Sequence, residues 1–234
     1  MTELPGGFRT RVLRVGDTVR RPPHPRSAQV RELLHGLADW PGAPRHLGVA
    51  EDGWEILEFL PGEAAWQLTD QRRVRHEPGL RGVARLLREL HDHTEARLGR
   101  VWCHNDLSPR NTVYRDGRPV AFLDWDLAAP GERVHDLAHL CWQFLDLGQD
   151  TTEVAVAAPL MAAVCAEYGF ADPAALVPAV LWWQDRARHG ILAGAGAGEA
   201  SLVRLREFGV PERIAAAREW TAAHETELRR ALGS

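Results

Sequence analysis

Short runs of alternating apolar and polar residues occur early in the chain and again around residue 115, whereas stripes with a 3.6-residue period govern most of the rest. Phe8 to Val15 and Thr18 to Arg21 read as two strands joined at Gly16-Asp17, a turn dipeptide. After Pro22-Pro23-His24-Pro25, Ser27 is expected to cap a helix carrying Val30, Leu33, Leu34 and Leu37 on one stripe. Glu32 lies almost opposite that stripe and so points away from it. Gly53 to Gly62 reads as a buried strand ending in the Pro61-Gly62 turn. Gly82 to His91 carries Val83, Leu86, Leu87 and Leu90 and is expected to end at Leu90-His91-Asp92. Leu137, Leu140, Cys141 and Phe144 define another helix, and residues 151–168, 173–192 and 211–231 are Ala-rich helical patterns. The small residues Ala193 to Gly198 read as a loop between two of them.

The most informative pattern is a hairpin. Thr112 to Arg115 and Arg118 to Leu123 flank Asp116-Gly117, which supplies the positive φ angles of a two-residue type I′ turn. An undisturbed register places Arg115 opposite Arg118, Val113 opposite Val120 and Asn111 opposite Phe122. Asp124 then projects from the same face as Asn111, at the roughly 7–8 Å spacing of diagonal neighbours. An amide oxygen and a carboxylate so placed are hard ligands suited to Mg²⁺.

Composition and charge narrow this reading. At 234 residues and 45 % hydrophobic, the chain has room for one large domain or two small lobes with a substantial core. A net charge of −4 offers no basic footprint for nucleic acid. Three isolated cysteines, Cys103, Cys141 and Cys165, suggest neither a disulfide framework nor a zinc site and read as small buried residues. The N-terminus lacks a signal-peptide pattern, and the longest apolar stretch, Val154 to Ala166, is too short for a membrane span, so a cytoplasmic protein without a membrane partner is expected. Every one of the 28 Lys and Arg residues is arginine.

Chemistry concentrates between Val101 and Asp136. His104-Asn105-Asp106-Leu107-Ser108-Pro109-Arg110-Asn111 fits the H-x-D-L-x-x-x-N catalytic loop, in which the Asp meets an acceptor hydroxyl and the Asn a metal. A metal-dependent phosphoester hydrolase built on Asp124 and Asp126 is a competing reading, disfavoured by that spacing.

H-N-D-L-S-P-R-N followed by F-L-D-W-D resembles the aminoglycoside phosphotransferase and choline kinase-like family of small-molecule kinases. The resemblance implies an α+β, protein-kinase-like two-lobed fold. Residues 1–60 would form a nucleotide-binding lobe with a small antiparallel sheet and one helix, and residues 61–234 a larger, mainly helical lobe with the catalytic loop. It implies Asp106 as the catalytic residue, and Asn111 and Asp124 as ligands of Mg²⁺, with Asp126 as a further acidic position. His104 would shape the loop and Asp136 would hydrogen-bond it from below, unless Asp136 is simply an acid in the first turn of its helix.

In such folds a lysine on the third strand clamps the α/β-phosphates, and this chain has none. Arg21 shares a face with Val19 and is the candidate replacement, with Arg20 the alternative. Pro5-Gly6-Gly7 occupies the place of the glycine-containing loop over the nucleotide, and main-chain groups of Glu58 and Leu60 the place of the adenine contacts. The expected reaction moves the γ-phosphate of ATP or GTP to a hydroxyl of an aminoglycoside-, amino-alcohol- or sugar-like acceptor, in a monomer or homodimer. Trp182, Trp183 and Asp185 are candidate acceptor contacts, the alternative for the two tryptophans being core residues of an amphipathic helix. The alternative is a nucleotide-binding pseudokinase without turnover.

Overall fold

The computed structural model describes residues 2–4, 11–148 and 153–233, so Pro5-Gly6-Gly7 and the first part of the expected Phe8–Val15 strand lie outside the described residues. Contacts group the chain into two compact units, Met1–Arg133 and Val134–Ser234.

The first unit opens with β1 (Thr2–Glu3), β2 (Leu13–Val15) and β3 (Thr18–Arg21), followed by α1 (Ser27–Gly36), β4 (His46–Val49) and β5 (Glu55–Glu58). These five strands form one antiparallel sheet in the order β1-β2-β3-β5-β4. The β2–β3 turn falls at Gly16-Asp17 as expected, with Val15 opposite Thr18 and Gly16 at φ 62°. Helix α1 buries Val30, Leu33 and Leu34, with Leu37 just beyond its end, and leaves Glu32 exposed. Ser27 does not cap it. Arg26 occupies the capping position, and the Ser27 hydroxyl accepts the His24 amide instead; a capping side chain must stand outside the helix, and Ser27 is already its first residue.

Next come β6 (Glu63–Ala64), α2 (Leu68–Val74), α3 (Glu77–Leu98), β7 (Trp102–Cys103), β8 (Thr112–Arg115), β9 (Arg118–Phe122) and β10 (Ala129–Pro130). Helix α3 starts where the His76 ring accepts the Gly79 amide and stops at Gly99, which takes the left-handed conformation at φ 71°. His91-Asp92 therefore lies inside the helix rather than at its end. Nothing in Arg88 to Leu98 breaks a helix, and His91 and Thr94 are buried on the stripe that Val83, Leu86, Leu87 and Leu90 begin. Within the first unit Arg26 donates to the carbonyls of Asp126 and Ala128, and the Phe122 amide donates to the Gly42 carbonyl.

In the β8–β9 hairpin, Asp116 and Gly117 have φ 50° and 72°, as a type I′ turn requires, and Arg115 faces Arg118. Beyond that the expected register fails. Tyr114 faces Pro119, but Val113 faces Ala121 and Thr112 faces Phe122. Val120 is the extra residue of a bulge directly after Pro119, in keeping with the confinement of strand prolines to edges, starts and bulges.

The second unit holds α4 from Val134 onward (the helix spans Arg133–Leu145), α5 (Val154–Tyr168), α6 (Leu176–Gly196), α7 (Ala200–Glu207), α8 (Val210–Ala223) and α9 (Glu225–Leu232). Helix α4 buries Leu137, Leu140, Cys141 and Phe144 as the stripe anticipated. Ala193 to Gly196 are not a loop but the last turn of α6, since alanine favours helix; an added Cβ on Gly194 would lie 2.1 Å from a Leu202 methyl of α7. The single pattern over 211–231 breaks at His224, whose ring bonds the Trp220 carbonyl. All three cysteines are buried and none is in a disulfide, and burial pushes the Cys165 thiol up to about 12. Among the described residues no single helix is long and apolar enough to cross a membrane; a pair, Val154–Tyr168 with Pro173–Gly196, passes on combined length and composition but is bent by 117°.

Gly148 sits at φ 84°, and a Cβ there would meet the Ala217 Cα and carbonyl oxygen at 2.4 Å. Backbone cannot swing aside as a side chain does. Gly148→Ala is therefore expected to cost about 2 kcal/mol or more in a urea titration, from overpacking added to left-handed strain; an unchanged midpoint would show that this packing is not maintained in solution.

Candidate active site

The loop from His104 to Asn111 is held by its own polar groups. The fully buried His104 ring accepts the Asp106 amide at Nδ1 (3.3 Å), so the proton sits on Nε2, which donates to the Leu123 carbonyl at 2.9 Å. Phe122 and Trp125 pack against the imidazole, with ring centroids 5.7 and 4.7 Å away. Asn105, at φ 63°, donates its amide to the Leu127 carbonyl at 3.0 Å. His104 thus ties the loop to the strand that leads to Asp124.

Ser108 starts the short 3-10 turn Pro109–Asn111, its hydroxyl accepting the Asn111 amide at 3.3 Å. The Asn111 side chain donates through Nδ2 to both the carbonyl (2.8 Å) and the carboxylate (2.9 Å) of Asp106. Two acceptors on one nitrogen fix the orientation of the amide, which leaves Oδ1 as the atom available to a cation. Leu123 donates to the Asn111 carbonyl at 2.8 Å, so Asn111 stands opposite Leu123 and not, as expected, opposite Phe122. The bulge at Val120 accounts for the one-residue shift.

Asp124 consequently does not share a face with Asn111 through strand alternation. It leaves the strand at φ 61° and ψ 70°, a left-handed conformation that aspartate tolerates better than most residues, and opens the 3-10 turn Trp125–Leu127. Asp124 is exposed, and it and Asn111 line one cavity of about 1270 Å³ within the first unit. Both residues line this cavity, though not through the strand alternation that was expected.

Val19, Arg21, Leu57, Glu58 and Leu60 line the sheet side of the same cavity. The Glu58 amide is engaged by the Arg45 carbonyl, and the Arg45 guanidinium, hydrogen-bonded to the Glu58 carboxyl, holds it below the usual carboxylate range. Arg21 is buried and holds two carboxylates: Nε to Glu55 at 3.1 Å and Nη1 to Asp126 at 2.8 Å. Glu55, only 2 % exposed, faces Arg21 across the β3–β5 ladder. Sequence reading missed Glu55; its signal was a charged residue in an otherwise buried strand, but that β3 pairs with β5 is not readable locally. It also missed Arg26, whose contacts with the Asp126 and Ala128 carbonyls anchor the segment after Asp124.

The second unit contains Asp136, fully buried in the first turn of α4. It also contains the acceptor candidates. Trp183 is buried, with Nε1 donating to the His135 carbonyl at 2.7 Å, whereas Trp182 is 43 % exposed and stacks on the His135 ring at 4.6 Å. Asp185 is ion-paired to Arg218 at 2.6 Å.

Solved structures share this fold. A gentamicin complex of the aminoglycoside phosphotransferase APH(2'')-IIa superposes with a TM-score of 0.59 at 14 % identity, covering 92 % of this chain and 89 % of that one. An ethanolamine kinase of Plasmodium vivax gives 0.61 at 13 % identity over 89 % and 80 %. A macrolide 2'-phosphotransferase of Brachybacterium faecium gives 0.56 at 19 % identity over 92 % and 90 %. The fold is the mixed, protein-kinase-like one, with a small antiparallel sheet and a mostly helical remainder.

Residues 16–178 match the model of the phosphotransferase enzyme family, and the chain belongs to that family. A curated relative, the trifolitoxin immunity protein of Rhizobium leguminosarum bv. trifolii, is 32 % identical over 173 aligned positions. That alignment covers 63 % of each protein, so the chain matches less than two thirds of the relative's length.

Proposed function

We propose that this protein transfers the γ-phosphate of ATP or GTP to a hydroxyl group of a small molecule, with Asp106 orienting the hydroxyl and Asn111 and Asp124 holding Mg²⁺. One observation carries the proposal: a single amide, Asn111, hydrogen-bonds the Asp106 carboxylate while lining the same cavity as Asp124. Phosphoryl transfer relies on positioning and charge neutralisation, so the acceptor-side carboxylate and the metal ligands must share one site.

The donor set suits the ion. Asn111 Oδ1 and the exposed Asp124 carboxylate are hard oxygens, and two protein ligands leave room for water and phosphate, as Mg²⁺ prefers. When bound, the ion would neutralise phosphate oxygens and bridge them to the protein. Asp106 needs little basicity, because in a loose transition state the hydroxyl proton leaves late; its work is to hold the oxygen in line. Arg21 would contact the phosphate tail from the sheet side, and the Glu58 carbonyl and Leu60 amide would meet the base edge.

The acceptor is an aminoglycoside-, amino-alcohol- or sugar-like hydroxyl compound. Structural neighbours named for gentamicin, ethanolamine and macrolides show how widely acceptors vary on this fold, and the relative named for toxin immunity adds another outcome. A second reading, nucleotide binding without turnover, draws on the absence of lysine and on the engagement of Arg21 by two carboxylates.

Transfer from γ-labelled ATP and GTP to a panel of aminoglycosides, amino alcohols, amino acids and sugars, with product masses measured, tests the proposal. A product heavier by one phosphoryl group is expected; nucleotide binding with no product from any acceptor supports the second reading. Asp124→Ala is expected to weaken Mg²⁺-nucleotide binding by at least about tenfold, since loss even of an outer partner of a metal ligand costs about 10–100-fold. Titration calorimetry should show this difference with Mg²⁺ and none in EDTA. An equal loss in both conditions would mean that Asp124 does not act through the metal.

A further inference from the structure

Four arginines line the cavity: Arg21, Arg73, Arg110 and Arg115. The chain has no lysine, so a side-chain cation facing a polyphosphate is an arginine or a histidine, and among the described residues these four arginines are the cations that line the cavity. Three of the four are engaged. Arg21 holds Glu55 and Asp126, a group with one positive and two negative charges and therefore net negative. Arg73 lies 3.8 Å from Asp70, and Arg115 donates Nε to the Pro61 carbonyl at 2.7 Å. Among the described residues Arg110 has no hydrogen bond and no ion pair, and its side chain is exposed.

Its backbone, by contrast, is fixed. Arg110 is the middle residue of the Pro109–Asn111 turn. Ser108 accepts the Asn111 amide, Thr112 donates its hydroxyl to the Ser108 carbonyl at 2.9 Å, and Ala65 donates to the Pro109 carbonyl. The neighbouring residue is Asn111, whose Cα is about 3.8 Å away across a trans peptide. An exposed, unpartnered guanidinium on a fixed stretch of backbone thus neighbours Asn111, the amide that bonds Asp106, in a cavity where Arg21 already holds two carboxylates.

We propose that Arg110 is a polyphosphate-binding residue, adding positive charge beside Arg21, whose own charge is already shared with Glu55 and Asp126. This rests on the nucleotide reading of the cavity. Its planar fork suits two phosphate oxygens at once, and such charge-assisted pairs are stronger than neutral hydrogen bonds. With no partner to give up, Arg110 loses no existing contact when phosphate arrives.

The test compares Arg110→Ala, Arg110→Lys and wild type by calorimetry with adenosine or guanosine, the matching diphosphate and the matching triphosphate, all with Mg²⁺. Arg110→Ala should weaken di- and triphosphate binding by about 10-fold or more, the usual weight of a hydrogen bond between charged groups, while nucleoside affinity stays as in wild type. Arg110→Lys should recover part of the loss, since charge is kept and the fork is not. Unchanged phosphate binding in Arg110→Ala overturns the inference, as does an equal loss for nucleoside and nucleotide, which would mark a structural role. A rise confined to the acceptor's KM overturns it too and moves Arg110 to the acceptor. Failure of wild type to bind any nucleotide is a different result, which removes the nucleotide reading itself and this inference with it.

Discussion

Asp106→Ala is expected to lower the rate of phosphoryl transfer by about 10²–10⁴-fold, the range for loss of a positioned acid or base, while leaving nucleotide affinity within a few-fold of wild type. The distinction follows from geometry. Asp106 is linked to the proposed metal ligands through Asn111, whose amide donates to both its carboxylate and its carbonyl. Alanine keeps the carbonyl contact and removes the carboxylate, so Asn111 stays largely oriented. Asp106→Asn is a sharper control, since its amide oxygen can still accept from Asn111 while the charge is gone. Single-turnover rates with saturating nucleotide check both, and equal rates for wild type and Asp106→Asn would remove Asp106 as the catalytic residue.

Arg21→Ala is expected to destabilise the fold by about 3–5 kcal/mol, the typical cost of removing one partner from a buried ion pair. The variant leaves Glu55 at 2 % exposure and Asp126 at 8 % without the cation between them. Most of the loss comes from stranded carboxylates, not from a favourable pair forgone. Arg21→Met combined with Glu55→Leu should therefore recover part of it, because an apolar pair of similar size removes a buried charge along with its partner. Urea unfolding measures all three proteins. A variant as stable as wild type would show that Glu55 and Asp126 are solvated in solution. Nucleotide affinity measured on the same proteins separates a phosphate contact of Arg21 from its structural load.

Much of this was legible in the sequence, and the parts that were not share a cause. The Asp116-Gly117 turn, the Gly16-Asp17 turn and the stripes of α1 and α4 rest on local chemistry, and they form where the pattern places them. The hairpin register failed because strand alternation assumes an uninterrupted ladder, and Pro119 with Val120 interrupts it. Even so, Asn111 and Asp124 reach one cavity, since the left-handed turn at Asp124 redirects its side chain after the bulge has shifted the strand. Helix α3 outran its expected end because Leu90-His91-Asp92 contains no stop signal, and the real one is Gly99. The partners of Arg21 were hidden for another reason: β3 pairs with β5 across an intervening helix and strand, and only the assembled sheet puts Glu55 opposite it.

The proposed metal site is the element on which the proposed chemistry depends, and Mn²⁺ in place of Mg²⁺ would make it visible. Crystals grown with MnATP or MnGTP, recorded at the manganese edge, should show anomalous density coordinated by Asn111 Oδ1 and the Asp124 carboxylate, with Asp106 still hydrogen-bonded to Asn111. Manganese and nucleotide bound away from these two residues would contradict the account.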